Sequence, residues 1–422
     1  MFKKIVPQSE FAKNVITLVT GTAIAQAIPL AISPILTRLY SPDDFGVFAL
    51  YLSISSVLSV VATGRYEFAI TLPAKDEDAV QILWLSCVIS FIVSLITFMI
   101  ILLFNNAIAT ALGNERIAIW LYAIPVTVFL SGICQSFNYW FNRKRKYSKL
   151  SKNRVLQTMS SSTVNLGVGY VAKGGTFGLI GGNILGQIAS AGYFVYYYFK
   201  NEDKFNFKRP KVIALAKRYR NFPKYDVIAS FINISANQIT HIFFNSFFSS
   251  VIAGYFFLNQ KIIQAPVTLI AGAIQDVFKM EIVTVHHANG NTRVLFLNTA
   301  KKLFLLALIP TIIIYFFAVD LFAFIFGEEW RVAGEYAKIF SPVFFLRFIS
   351  FPLSYMLYVK EKQLYNIIGQ FLLLTAVVIT FILGKDSEAI NTVIALSWIY
   401  STFYILYFIM SFNLTNHGNK KQ

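Results

Sequence analysis

The side chains able to do chemistry in this sequence are conspicuous because they interrupt long apolar runs. Lys261 and Arg347 are the two cations placed deepest within such runs. A charge held there is costly unless it is paired, hydrated or used to hold an anion. Amides accompany them. Asn233, Asn237 and His241 recur at every fourth position and so share one face of a helix. Asn259 and Gln264 flank Lys261, just ahead of Pro266. Arg38 and Arg65 stand near the ends of the first two runs. Cations and amides lining a cavity could replace the hydration shell of a phosphate or a sugar. The structural alternative is hydrogen bonding between helices, with the long basic side chains snorkelling to the surface. That alternative is preferred for Arg38, Arg65 and the 233/237/241 face. For Lys261 and Arg347 the two readings balance.

Other chemistry finds little support. His286-His287 has no nearby partners at metal-ligand spacing, no phosphate-binding glycine loop is present, and no catalytic constellation emerges. Neither a cofactor nor a metal is expected. Cys87 and Cys134 fall on different apolar runs and behave as small hydrophobes. Asn413-Leu414-Thr415 matches a glycosylation signal, but on the cytoplasmic side of the topology derived below. Gly178, Gly182 and Gly186 share one helix face, suited to close packing within the chain and less to a dimer contact.

The elements that must position these residues are membrane spans. Hydrophobic residues make up 56% of the chain and charged residues only 14%, with a mean hydropathy of +0.60. A soluble surface needs more charge than that. The runs 79–104, 177–199 and 390–412 carry no charge. Each exceeds the roughly 20 residues a helix needs to cross a bilayer core. Twelve spans are predicted, at 14–36, 45–63, 79–104, 117–141, 155–172, 177–199, 227–248, 251–278, 303–319, 336–358, 364–383 and 390–412. The runs at 155–172 and 303–319 are the shortest. The N-terminal run is too long for a signal peptide and counts as the first span.

Positive charge orients the chain. Of 37 Lys and Arg residues, 29 fall in one set of alternating loops and six in the other, namely Arg38, Arg116, Lys173, Arg331, Lys338 and Lys385. The basic set belongs in the cytoplasm, with both termini. This accounts for the net charge of +17 without nucleic acid, because basic loops meet anionic lipid. The basic, proline-containing stretch 200–224 is a cytoplasmic linker with a short amphipathic piece near 212–219. It separates an N-terminal bundle of six spans at 1–199 from a C-terminal one at 225–422. Internal echoes support duplication. Ser41, Gly46, Phe48 and Leu50 align without gaps on Ser249, Gly254, Phe256 and Leu258, and Tyr139…Lys144-x-Lys146 on Tyr355…Lys360-x-Lys362. Two pseudo-symmetric, parallel six-helix units place a substrate cleft between them.

The segment Leu36-Thr37-Arg38-Leu39-Tyr40-Ser41-Pro42-Asp43-Asp44-Phe45-Gly46-Val47-Phe48 resembles polysaccharide-export flippases of the multidrug/oligosaccharidyl-lipid/polysaccharide (MOP) superfamily, especially O-antigen and capsule-unit flippases. So does Arg65-Tyr66-Glu67-Phe68-Ala69-Ile70-x-Leu72-Pro73. Lys261-x-x-Gln264-x-Pro266 is similar to a basic-x-x-Gln-x-Pro pattern of lipid II flippases that carries Arg at the first place; Lys keeps the charge without the planar fork. The resemblance implies an all-α polytopic protein with two bundles in a V, alternating access and a cationic cavity. It also implies a glycan on a polyprenyl diphosphate as cargo, membrane lipid as environment, coupling to an ion gradient and contact with polysaccharide-assembly proteins. The location implied is the bacterial cytoplasmic membrane. A drug or cation exporter of the same superfamily would favour acids within the spans. A membrane-bound O-antigen polymerase or ligase would need a large outer loop, and the longest outer candidate, around 320–335, is short.

Overall fold

The computed structural model describes residues 10–172, 175–201, 208–288 and 290–416. Lys3, Lys4, Lys173, Lys204, Lys420 and Lys421 of the charge analysis lie outside the described residues. Every regular element among the described residues is helical. In chain order they are α1 (Glu10–Ala31), α2 (Ser33–Leu39), α3 (Pro42–Val61), α4 (Asp76–Ala111), α5 (Ala118–Leu121), α6 (Ile124–Arg143), α7 (Tyr147–Ala172), α8 (Thr176–Asn201), α9 (Arg209–Arg218), α10 (Val227–Phe247), α11 (Ser250–Pro266), α12 (Gly272–His287), α13 (Thr292–Phe326), α14 (Arg331–Leu353), α15 (Met356–Val359), α16 (Gln363–Gly384) and α17 (Ala389–Asn413). A 3₁₀ turn occupies Tyr66–Thr71, and π-helical turns occupy Phe222–Asp226 and Val267–Ala271.

Seven of these helical segments are long and apolar enough to cross a membrane. An eighth is reached by counting Glu115–Leu121 and Ile124–Arg143 as one span bent by 50°. The bend falls just before Pro125, whose ring cannot continue the preceding helix. Joined across their short breaks, the helices make about twelve membrane-length segments. The two shortest predicted spans prove longer: α7 has 26 residues and α13 has 35. The apolar signal of α7 is weak because its buried Asn153, Ser162 and Asn165 face other helices rather than lipid. Asn153 donates to Ser190 on α8 at 2.7 Å. A methyl at Gly182 or Gly186 of α8 would overlap α7 atoms, and one at Gly178 would overlap Tyr40, so this glycine stripe serves packing within the chain.

The duplication is written in the turns. Lys144 N–H meets the carbonyls of Trp140 and Asn142, and Lys360 N–H those of Met356 and Tyr358. Lys146 N–H donates to Phe141 at 2.9 Å, and Lys362 N–H to Leu357 at 2.8 Å. Every pair keeps the offset of 216 residues that separates Lys144 from Lys360. The residue between the lysines is left-handed in both copies, Arg145 at φ 54° and Glu361 at φ 55°. The other echo holds as well. The Ser41 hydroxyl accepts the Asp44 N–H at 3.2 Å, and the Ser249 hydroxyl accepts the Ile252 N–H at 3.3 Å. Both serines cap the helix that follows.

Contacts divide the chain into two compact units, Met1–Ala253 and Gly254–Gln422. The helix α10 opens the second repeat in sequence yet belongs to the first unit by contact, because it lies antiparallel on α3. Asn245 Nδ2 donates to the Gly46 carbonyl at 2.9 Å, and Ser53 donates to Gln238 at 3.0 Å. Arg65 reaches Asp226 at 3.4 Å. The paired residue numbers keep a nearly constant sum, as antiparallel neighbours must. Gly46 lets the chains meet, since any side chain there would overlap the Ser250 carbonyl. At the same end Asp44 gathers the Ser41 N–H and hydroxyl, the Thr176 hydroxyl at 3.1 Å and Arg116 at 3.1 Å. Arg116 also pairs with Asp43. The first unit's aromatic core is built on Phe137, Trp140, Phe194 and Tyr198. In the second unit Phe278, Phe296, Phe344 and Phe348 do the same work.

Candidate functional site

In the first unit the candidate residues converge where α3 ends. Gly64 and Arg65 both adopt positive φ, 59° and 61°, turning the chain sharply into the 66–71 helix. Left-handed backbone disfavours a side chain such as arginine and is retained where contacts hold it. Here three contacts do. The guanidinium lies 3.3 Å from Glu67, 3.4 Å from Asp226, and over the Phe68 ring at 5.1 Å. Glu67 is buried and also accepts from Thr63. Burial raises its carboxyl above the usual glutamate range, only partly offset by the Thr63 and Arg65 contacts. Phe68 packs edge-on against Tyr139 and stacks on Phe222 at 6.3 Å. Beside Asp226 lies an open surface depression of about 330 Å³ lined by Asn221, Phe222, Tyr225, Asp226 and Ala229.

The polar face of α10 continues from this depression. Asp226, Ala229, Asn233 and Asn237 follow helical spacing on one side, and Asn233 and Asn237 are exposed. Asn237 donates to the Asn233 carbonyl at 2.8 Å. His241, one turn on, is half-buried. Arg38 is exposed in the last turn of α2, away from this cluster in sequence and in element.

The second unit holds Lys261 and Arg347. The helices α11 and α14 pack through Tyr255 on Tyr336 at 6.4 Å and Phe256 on Phe340 at 5.5 Å. Lys261 lies about one and a half turns beyond Phe256 on α11, and Arg347 about two turns beyond Phe340 on α14. Both are half-buried, and neither has an acidic partner among the described residues. Asn259 is buried with both side-chain atoms lacking hydrogen bonds. Gln264 bonds to Gln260 one turn earlier. Arg347 lies within electrostatic reach of Tyr404 on α17.

Sequence reasoning places Arg65 but misses its two carboxylates. Glu67 is visible in the Arg65-Tyr66-Glu67 segment. Asp226 is visible as an acid at the very start of an apolar run, in a chain with only 20 acids.

Helices long and apolar enough to cross a membrane make this a multi-pass membrane protein, and it shares its fold with solved transporters of the MOP superfamily. The "Lipid II flippase MurJ, inward closed conformation" superposes with a TM-score of 0.71 at 14% identity, covering 94% of this chain and 87% of that one. The MATE multidrug transporter DinF-BH gives a TM-score of 0.63 at 13% identity, covering 96% and 94%. A MOP superfamily transporter from Pyrococcus furiosus gives 0.58 at 14%, covering 94% of each chain. A search of curated proteins gave no match. Residues 35–335 match the family described as polysaccharide biosynthesis protein, and the chain belongs to that family.

Proposed function

We propose that this protein moves polyprenyl-diphosphate-linked oligosaccharide units, the repeats of an O-antigen, capsule or exopolysaccharide, across the bacterial cytoplasmic membrane. The observation that carries the reading is the pair Lys261 and Arg347, half-buried cations on α11 and α14 without acidic partners among the described residues. Sugars and a diphosphate lose their hydration on entering hydrocarbon, and cations with amides substitute for it. The lipid tail stays in the bilayer. The repeats at 1–199 and 225–422, joined by 200–224, act as the two halves of an alternating-access transporter, with both termini in the cytoplasm. The family's role in polysaccharide biosynthesis and the likeness to a lipid II flippase support this cargo.

The likeness to MATE transporters favours a second reading, export of drugs or cations. Such cargo calls for acids in the interior. In the second unit Asp276 is engaged by Lys279 at 3.3 Å and Asp320 by Arg331 at 3.0 Å. The test is complementation of surface-glycan export in a strain lacking the protein. Lys261→Ala and Arg347→Ala should abolish export at normal membrane abundance, and Lys261→Arg should retain most of it. Normal export by both alanine variants would remove these residues from the site. Drug efflux by the wild type without glycan export would favour the second reading.

A further inference from the structure

The two carboxylates on Arg65 are not equivalent. Glu67 belongs to the same short helix, has a side chain 1% exposed, and is fixed by Thr63. Asp226 comes from the start of α10, is 42% exposed, and borders the open depression. Its approach to Arg65 is an ion pair without a hydrogen bond: Arg65 Nε and Asp226 Oδ2 are both buried atoms with no hydrogen-bond partner. A buried donor left unmade favours any ligand oxygen that can reach it. Asp226 also ends a π-helical turn containing Pro223, a local geometry that leaves the i→i−4 ladder irregular. One partner is thus built in and the other is loosely held beside a depression with aromatic walls, Phe222 and Tyr225.

We propose that Arg65 is an anion-exchange site, at which the diphosphate of a lipid-linked cargo displaces Asp226 and so releases the start of α10 from the 66–71 helix. This rests on the reading that the cargo carries a diphosphate. Glu67 keeps hold of the guanidinium in both states. The freed Nε and one terminal nitrogen form the planar fork that recognises a phosphate edge. Asn233 and Asn237, further along the same face of α10, offer amides to the attached sugars. Binding a diphosphate and loosening the α3–α10 contact become one event, because both compete for a single side chain.

The experiment uses the full-length protein in lipid nanodiscs, with farnesyl diphosphate and inorganic pyrophosphate as probes. Asp226→Asn removes the competitor and keeps the shape, so farnesyl diphosphate should bind about fivefold tighter, the order expected for one partly exposed ion pair. Arg65→Ala should lose binding at least tenfold, and Arg65→Lys should fall between. Farnesyl diphosphate should bind more tightly than pyrophosphate; the reverse order would assign the site to free diphosphate and overturn the link to cargo. Spin labels at Leu72→Cys and Ile228→Cys, in a chain with Cys87→Ala and Cys134→Ser, report the distance between the two elements. It should lengthen on adding farnesyl diphosphate, and be long without it in Asp226→Asn. Unchanged or weaker binding by Asp226→Asn, with Arg65→Ala defective, overturns the exchange while leaving Arg65 in the site. Wild-type binding by Arg65→Ala overturns the site itself, and glycan export by that variant then tells whether the flippase reading survives.

Discussion

Replacing Asp44 with alanine should be among the most damaging single changes in the first unit. Its carboxylate is buried and serves three separate elements. It completes the capping box with Ser41 at the start of α3, a device whose loss costs about 1 kcal/mol. It accepts the hydroxyl of the buried Thr176 at the start of α8, and a hydrogen bond to a charged group contributes about 1.5–3 kcal/mol. It pairs with Arg116 at 3.1 Å, but that side chain is 52% exposed, so at most about 1 kcal/mol belongs there. Arg116 also keeps Asp43 when Asp44 is gone. Together these losses amount to about 3–5 kcal/mol, or a fall of roughly 6–10 °C in apparent Tm at about 2 °C per kcal/mol. Asp44→Asn keeps an acceptor oxygen and should lose about half as much. Thermal unfolding of the purified variants followed by tryptophan fluorescence measures both. An Asp44→Ala variant within about 2 °C of wild type would refute the hub. An asparagine variant as damaged as the alanine one would show that charge, not acceptor geometry, holds these elements.

Gly46→Ala should greatly reduce folded protein, because its methyl meets the Ser250 backbone, whereas Gly167→Ala, with open space around it, should stabilise α7 by up to about 1 kcal/mol; detergent-solubilised yield and Tm compare them. Cysteine accessibility or reporter fusions at Lys146 and Arg209 should report cytoplasm, and at Asn114 and Lys385 the outer side; an outer signal at Lys146 would overturn the topology. Glu67 has its carboxyl raised by burial, so its protonated form is the one the folded state favours. The stability it contributes is full below the unfolded glutamate value of about 4.5 and is lost as pH rises through the higher folded value. Glu67→Gln should therefore match wild type in Tm at about pH 4 and exceed it at about pH 8. A variant less stable than wild type at the higher pH would contradict that sign.

The spans, the basic loops and the repeat are legible in the sequence because each answers to a local rule. A helix crossing lipid must be apolar over about 20 residues wherever it packs. The Lys144 and Lys360 turns repeat bond for bond because a left-handed residue after a helix is set by its immediate neighbours. Even the weak signal of α7 has a local trace, in the polar residues that face the glycines of α8. What sequence does not decide is which partner each helix takes. The helices α1 and α10 hold equivalent places in the two repeats, yet α1 packs on α7 and α10 on α3. By sequence Arg65 is a helix-end cation free to snorkel. Only the packing of α10 brings Asp226 to it. Burial and pairing of a charge depend on chain segments far apart in sequence, and no periodicity records which of them meet.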